Sequence, residues 1–320
     1  MEVIRPPCLK KGDKVMIVAS SEPINSQRSF RRGVRTLESL GFEVLFGKYI
    51  KSVYQIYKAG TSEQRAEDIN SAFSNSNIKG IFMATGGFSA TEVLPLLDYD
   101  LIRKNPKIIM GFSNGTVVSN AIFARTGLIT FYGFCIEYFF KRKTPYTIDS
   151  FLNITNGGLE INQRTKWKNL RSGRAIGKLI GGNLRSLVKL IGTPYLPNLT
   201  NSILFLEEHD DWSQDVEPDL VQIHQAGFFN KNKVQAVIFG KFYNVDIGSG
   251  DSEYKNAKRP KGFTLYSIFK EKLPKGIPIL ANVDFGSITS LATIPIGVRA
   301  EIFLRRNQRS QFKLIEPAVV

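Results

Sequence analysis

Short apolar runs alternate with amphipathic segments through the first 135 residues, and this switching of period constrains the fold more than any other feature of the chain. Lys14 to Ser20 (KVMIVAS) is a β-rich run. Phe30, Val34, Leu37 and Leu40 then recur at the spacing of one helix face. Gly41 ends that helix, because glycine accepts the left-handed conformation that closes an α-helix, and Phe42 to Phe46 starts a second strand. Thr61-Ser-Glu-Gln64 has the form of a capping box and predicts a helix whose inner face carries Ala66, Ile69 and Phe73. Ile78 to Thr85 and Lys107 to Phe112 are further buried-strand runs. Strands and helices alternating at this spacing predict a parallel sheet with helices on both faces, a doubly wound first half.

After about Phe134 the pattern lapses. Glu137 to Lys168 holds Lys141-Arg-Lys143, Asn156-Gly-Gly158 and scattered polar residues, a composition that suits a crossing segment or long loop. Strand-like runs return at Ala175 to Ile180, Ile203 to Glu207, Val234 to Phe239, Ile277 to Val283 and Ala300 to Leu304, with few long amphipathic helices between them. The expected fold class is therefore α/β: a parallel-sheet N-terminal domain over 1–135, a crossing segment over 136–172, and a smaller β-rich α/β C-terminal domain over 173–320. A chain of 320 residues with 42% hydrophobic content can bury cores of that size.

Composition narrows the function classes. No run of eighteen apolar residues is present, and Met1-Glu-Val-Ile-Arg-Pro-Pro7 lacks the charged and apolar regions of a secretion signal, so the expectation is a cytoplasmic protein that does not span a membrane. Two cysteines, Cys8 and Cys135, are too few for a disulfide framework and have no metal or redox spacing. Lysine and arginine outnumber aspartate and glutamate 43 to 28, a net charge of +15 that favours anionic partners. The densest basic stretch runs from Ile161 to Leu190, yet no nucleic-acid recognition motif accompanies it, and a solvated basic face near an anionic substrate is the simpler reading.

Four places can carry chemistry. Ile108-Ile-Met-Gly-Phe-Ser-Asn-Gly-Thr116 runs a strand into Gly111, exposes Ser113 and resumes in the helix-like Val117 to Arg125. That is the order of a nucleophile elbow, although a serine capping an ordinary helix reads the same way. Thr85-Gly-Gly-Phe88 closes a strand with two glycines whose N–H groups can approach a substrate oxygen, or it is a plain βα turn. Leu204-Phe-Leu-Glu-Glu208 sets carboxylates at the end of an apolar strand, where ligands of open sheets bind and where solvated strand ends also lie. Gly181-Gly-Asn-Leu184 has the same ambiguity.

In that order these pieces resemble the LD-carboxypeptidase family and, within it, the microcin C self-immunity peptidases. Shared stretches run nearly end to end, including Pro6-Pro-Cys-Leu-Lys-Lys-Gly-Asp-Lys-Val15, Gly60-Thr-Ser-Glu-Gln-Arg-Ala-Glu-Asp-Ile69, Leu94-Pro-Leu-Leu-Asp-Tyr-Asp100, Gly111-Phe-Ser113 and Asn282-Val-Asp-Phe-Gly286. The resemblance implies a Rossmann-like N-terminal domain, a β-rich C-terminal one, and a Ser-His-Glu hydrolase that cleaves a peptide or amide bond next to a terminal carboxylate. It makes Ser113 the nucleophile and Glu207 the acid that orients the base, with Glu208 the neighbouring alternative. The N–H groups of Gly87 and Asn114 form the oxyanion hole, and Gly86, Phe88, Asn183 and Glu208 line the substrate site. It implies no metal and no cofactor, a homodimer, and a small anionic peptide or peptidyl or aminoacyl nucleotide as substrate.

Two positions depart from the family pattern. Where the family carries Asp-Phe-Gly-His, this chain reads Asp284-Phe-Gly-Ser287, so the expected base is a hydroxyl, which cannot take a proton near neutral pH as an imidazole can. Asn114 stands where many relatives have aspartate. The chain has two histidines. His209 lies two residues beyond Glu207 and can swing toward the site, whereas His224 falls in a helical stretch from Pro218 to Ala226. Either another group supplies the base, or the chain binds without turnover. Trp167 and Trp212 can stack on a flat ring or simply pack.

Overall fold

The computed structural model describes residues 2–142, 144–209, 213–243, 263–287 and 290–320. The first sheet grows from the alternation described above. β1 (Lys14–Val18) leads to α1 (Gln27–Ser39), which Ser26 caps by accepting from the Ser29 N–H. β2 (Glu43–Phe46) follows, and α2 (Ser62–Ser74) opens on a complete capping box between Thr61 and Gln64. β3 (Ile78–Met83), α3 (Tyr99–Lys104), β4 (Ile108–Gly111), α4 (Gly115–Thr126) and β5 (Thr130–Tyr132) complete the unit.

Residues 136–155, without a legible period in the sequence, form two helices, α5 (Ile136–Arg142) and α6 (Pro145–Thr155). The inner face of α6 mixes Thr147, Ser150 and Thr155 with Phe151 and Ile154. Its polar members hide the apolar spacing that marks a helix in sequence. They are buried because they have partners: the Thr147 and Ser150 hydroxyls accept from the Leu291 and Thr293 N–H groups.

The second half contributes β6 (Lys168–Arg171), β7 (Gly173–Asn183), α7 (Leu184–Val188), β8 (Ser202–His209), α8 (Ser213–Gln225), β9 (Val234–Tyr243), α9 (Leu265–Lys272) and β10 (Ile279–Ala281). β11 (Ile294–Ile296), β12 (Arg299–Leu304) and β13 (Gln311–Leu314) follow.

Two sheets result, six-stranded in the order β11-β5-β4-β3-β1-β2 and seven-stranded in the order β13-β12-β7-β8-β9-β10-β6. In the first, β2, β1, β3, β4 and β5 run parallel, and β11 returns from late in the chain to pair antiparallel with β5. In the second, β7, β8, β9 and β10 are parallel while β6, β12 and β13 are antiparallel. The central parallel strands β4 and β8 are buried almost end to end, as sheets covered on both faces require, while the edge strand β2 is not.

The two sheets meet where α4 packs on β7. The Asn120 amide donates to the Gly181 carbonyl at 2.8 Å, and the Asn183 N–H donates to Thr116 Oγ1 at 3.0 Å. Gly181 holds φ +143°, and a Cβ there would overlap the Phe205 carbonyl oxygen on the neighbouring strand. Gly181→Ala is therefore expected to lower the unfolding free energy by more than about 2 kcal/mol, read from the urea midpoint at unchanged m-value.

Candidate active site

Ser113 sits between the end of β4 and the start of α4 with φ +52°, a conformation few non-glycine residues adopt. That strained turn lifts the hydroxyl off the sheet, and the surrounding glycines leave room for it. A Cβ on Gly86 would lie 3.0 Å from Ser113 Oγ, so only glycine lets the loop after β3 approach so closely. Gly87 holds φ +125° and packs on Ser21 and Glu22.

Asn114, fully buried, fixes these pieces relative to one another. Its Oδ1 accepts from Ser21 Oγ at 3.0 Å and from the Ala90 N–H at 2.8 Å, while Nδ2 donates to Ser186 Oγ at 3.4 Å in the other half of the molecule. Ser21 Oγ also accepts from the Ser89 N–H, and the buried Arg65 donates to the carbonyls of Ser20 and Ser89. Asn114 is thus tied by hydrogen bonds to Ser21 and Ala90, and Gly87 packs against that same Ser21.

The second sheet brings its strand ends to the same place. Asn183, last in β7, stands in register with Glu207 on β8. The adjacent carboxylates of β8 have opposite surroundings. Glu208 accepts from Asn183 Nδ2 at 2.7 Å, the Arg185 N–H at 3.0 Å and the His209 N–H at 3.1 Å, which ties it to the start of α7. Glu207 is completely buried, and among the described residues neither of its oxygens has a hydrogen-bond partner. Burial first, and the Glu208 charge second, push its pKa up to about 7, against smaller lowering effects of His209, Tyr132 and Asn183. Its carboxylate abuts Gly286, where a Cβ would come 3.1 Å from Oε2, and Ser287 follows.

Asp284 holds that loop in place. Its buried carboxylate accepts from the N–H groups of Arg164 and Thr165, from Thr165 Oγ1 at 2.6 Å and from Trp167 Nε1 at 2.8 Å, with Lys241 Nζ at 3.8 Å. Trp167 therefore takes the packing role of the two its sequence context leaves open, while Trp212 lies outside the described residues. Of the histidines, His209 lines the cleft with its ring stacked on Phe112 at 6.0 Å between centroids. His224 lies on α8, with Nδ1 3.2 Å from the Lys272 carbonyl and its ring against Phe229.

A cleft of about 1010 Å³ joins these parts, with Gly86, Gly87, Phe88, Ser113, Asn183, Glu208 and Ser287 among its lining residues. Asn114 and Glu207 stand buried behind its walls. Arg164, Arg185, Lys189 and Lys241 add positive charge, and Glu22 lies beside Gly87. Arg164, Arg185 and Lys189 come from the basic stretch noted in the sequence, whereas no sequence signal singles out Lys241 and Glu22, which lie on separate elements that only the fold brings together. Lys189 Nζ sits 5.6 Å from the centroid of the exposed Phe88 ring. Among the described residues no three His, Cys, Asp or Glu side chains gather to hold a metal ion, and no helix is long and apolar enough to cross a membrane.

Known proteins share this fold. Models of the LD-carboxypeptidase N-terminal and C-terminal domains match residues 15–133 and 176–302. The chain is 31% identical over 328 residues to the microcin C7 self-immunity protein MccF of Escherichia coli, covering 92% of this chain and 91% of that one. The structure of MccF in complex with glutamyl sulfamoyl guanosine superposes with a TM-score of 0.87 at 28% identity, over 99% of both chains. Muramoyltetrapeptide carboxypeptidase from Oxalobacter formigenes does so with a TM-score of 0.79 at 25% identity, over 94% of this chain and 97% of that one. With both family domains matched in order, and a strained serine facing the strand ends of the second sheet, the chain belongs to the LD-carboxypeptidase family.

Proposed function

We propose that the cleft is a serine hydrolase site for a small carboxylate-terminated peptide or an aminoacyl or peptidyl nucleotide, with turnover reduced by the serine at 287. The observation that carries this reading is Ser113 at positive φ, packed against Gly86 and open to a cleft behind whose wall Glu207 is buried. Ser113 Oγ attacks the substrate carbonyl, and the N–H groups of Gly87 and Asn114 stabilise the oxyanion. Arg185 and Lys189 offer positive charge to a carboxylate, sulfamate or phosphate, and Phe88 offers a face on which a flat ring can rest. An aminoacyl nucleotide analogue bound by MccF and the murein peptide named for the Oxalobacter enzyme are both anionic, as the charge of the cleft favours. From the sequence and the family resemblance we add the reading of a cytoplasmic homodimer.

The unpartnered Glu207 favours a second reading, in which the cleft binds without turnover. An acid that orients a base needs a ring N–H to accept, and Ser287 presents none. Loss of one triad member leaves roughly 10³ to 10⁴-fold rate over water from the oxyanion hole and binding alone. Ser287→His is expected to raise cleavage of an LD-linked murein peptide or an aminoacyl sulfamoyl adenosine by about 10²-fold or more, and Ser113→Ala to abolish it. A native chain that is silent while Ser287→His cleaves establishes the binder; native cleavage that Ser113→Ala removes establishes the hydrolase.

The same carboxylate sets a pH dependence. Its folded pKa, about 7, lies above the ordinary 4.5, so between those values the native state holds more protons than the unfolded chain. Stability contributed by this group therefore falls as pH rises from about 4.5 to about 7 and stays low above that. Glu207→Gln is expected to melt higher than the native chain at pH 8, with the gap closing at pH 4, in thermal unfolding followed by circular dichroism. Equal melting curves at pH 8 would show that the carboxylate is not unfavourably charged there.

A further inference from the structure

The charges that line the cleft divide by origin. Among the described residues its lysines and arginines, Arg164, Arg185, Lys189 and Lys241, all come from the second half of the chain. Of the lining carboxylates, Glu208 accepts from Asn183, Arg185 and His209, and Asp284 from Arg164, Thr165 and Trp167. Glu22, which comes from the first half, differs from both. Among the described residues the groups that act on its charge are the Glu137 carboxylate and the Asn25 side chain, with no cation between them. The backbone fixes its place: the Glu22 N–H donates to the Gly86 carbonyl at 3.2 Å, and the Glu22 carbonyl accepts from Thr85 Oγ1 at 2.6 Å. A Cβ on Gly87 would lie 2.8 Å from Glu22 Cδ, and one on Gly86 would lie 3.0 Å from Ser113 Oγ. Consecutive Cα atoms are about 3.8 Å apart, so the carboxyl and the nucleophile flank a single pair of glycines. A lone carboxylate is doubly unfavourable there. Burial and the Glu137 charge raise its pKa, and it opposes an oxyanion held by the Gly87 N–H. A cation brought by the substrate offsets both effects.

We propose that Glu22 is a specificity-determining residue that pairs with the free α-ammonium of the substrate's acyl group, so that the cleft selects aminoacyl compounds over those whose α-nitrogen is acylated. The proposal rests on the reading of the cleft given above and narrows its substrate class. In an aminoacyl compound the ammonium nitrogen is two bonds from the carbonyl carbon that Ser113 faces, which brings it beside the oxyanion donors and therefore beside Glu22. The anionic part lies across the scissile bond and meets the lysines and arginines of the second half. A ligand with a cation at one end and an anion at the other thus finds both kinds of charge. The hydrogen bond from an ammonium to a carboxylate carries charge on both partners and is about twice as strong as a neutral one. An acylated nitrogen, as inside a peptide chain, is a neutral amide that offers Glu22 no such partner and adds bulk against Gly87.

The test uses the full chain carrying Ser113→Ala, which holds ligand without turnover, with and without Glu22→Gln. Calorimetric titration measures alanyl sulfamoyl adenosine, its Nα-acetyl derivative and sulfamoyl adenosine without an acyl group. The expected result is that acetylation weakens binding by about tenfold or more, that Glu22→Gln weakens the free-amine ligand by a similar factor, and that Glu22→Gln changes the other two ligands less than about threefold. Glutamine keeps the size of the side chain and removes only the charge, and circular dichroism checks that the variant folds. Equal or tighter binding of the acetylated ligand overturns the proposal, and that comparison needs no substitution at position 22. A loss on acetylation that is the same in folded Glu22→Gln overturns it too, because bulk alone then accounts for the discrimination. Both of these results leave the reading of the cleft standing. Failure of all three ligands to bind overturns that reading along with the proposal.

Discussion

The seam between α4 and the end of β7 is the contact on which the rest of the site depends. Asn120 reaches the Gly181 carbonyl, Thr116 accepts from Asn183, and Asn114 touches Ser186, all within the first two turns after the nucleophile. These bonds connect buried polar groups that would each be costly to leave unpaired, so they fix one relative placement of the sheets. Because β4 and β8 both point their carboxyl ends at this seam, the serine of one and the acids of the other share a cleft without being near in sequence.

Within that frame the two acids of β8 show how environment divides a pair of identical groups. Glu208 is as buried as a core residue yet spends its charge on three donors, one of them the amide that opens α7 toward the cleft. Glu207, one residue earlier, is buried without such donors and sits against the glycine that precedes Ser287. Burial and the neighbouring Glu208 charge together raise the Glu207 pKa.

The elements of the first half were legible because each carries its own local signal. The capping box at Thr61 and Gln64, the Ser26 to Leu40 helix and the apolar runs of β3 and β4 need only neighbours in sequence to be recognised. α6 was not, since its inner face is satisfied by hydroxyls bonding to distant backbone at residues 291 and 293, and α5, only seven residues long, shows no helical period. The return of β11 to the first sheet was equally hidden, because three residues carry no record of which edge they pair with. Motifs pointed to Ser113, Glu207 and Ser287, and the basic stretch to Arg164 and Lys189, whereas nothing pointed to Lys241 or to the partners of Asp284, which are ordinary charged or polar residues until the chain folds.

By itself the sequence determined the strand-helix alternation, the elbow around Ser113 and the absence of histidine at 287, since covalent order and local periodicity suffice for each. Only the tertiary structure decided that Glu208 is satisfied while Glu207 is not, that Trp167 is a packing residue, and that His209 rather than His224 enters the cleft. Those outcomes depend on burial and on donors contributed from other strands and loops, and such distances are set by how the sheets dock and not by the spacing of residues along the chain.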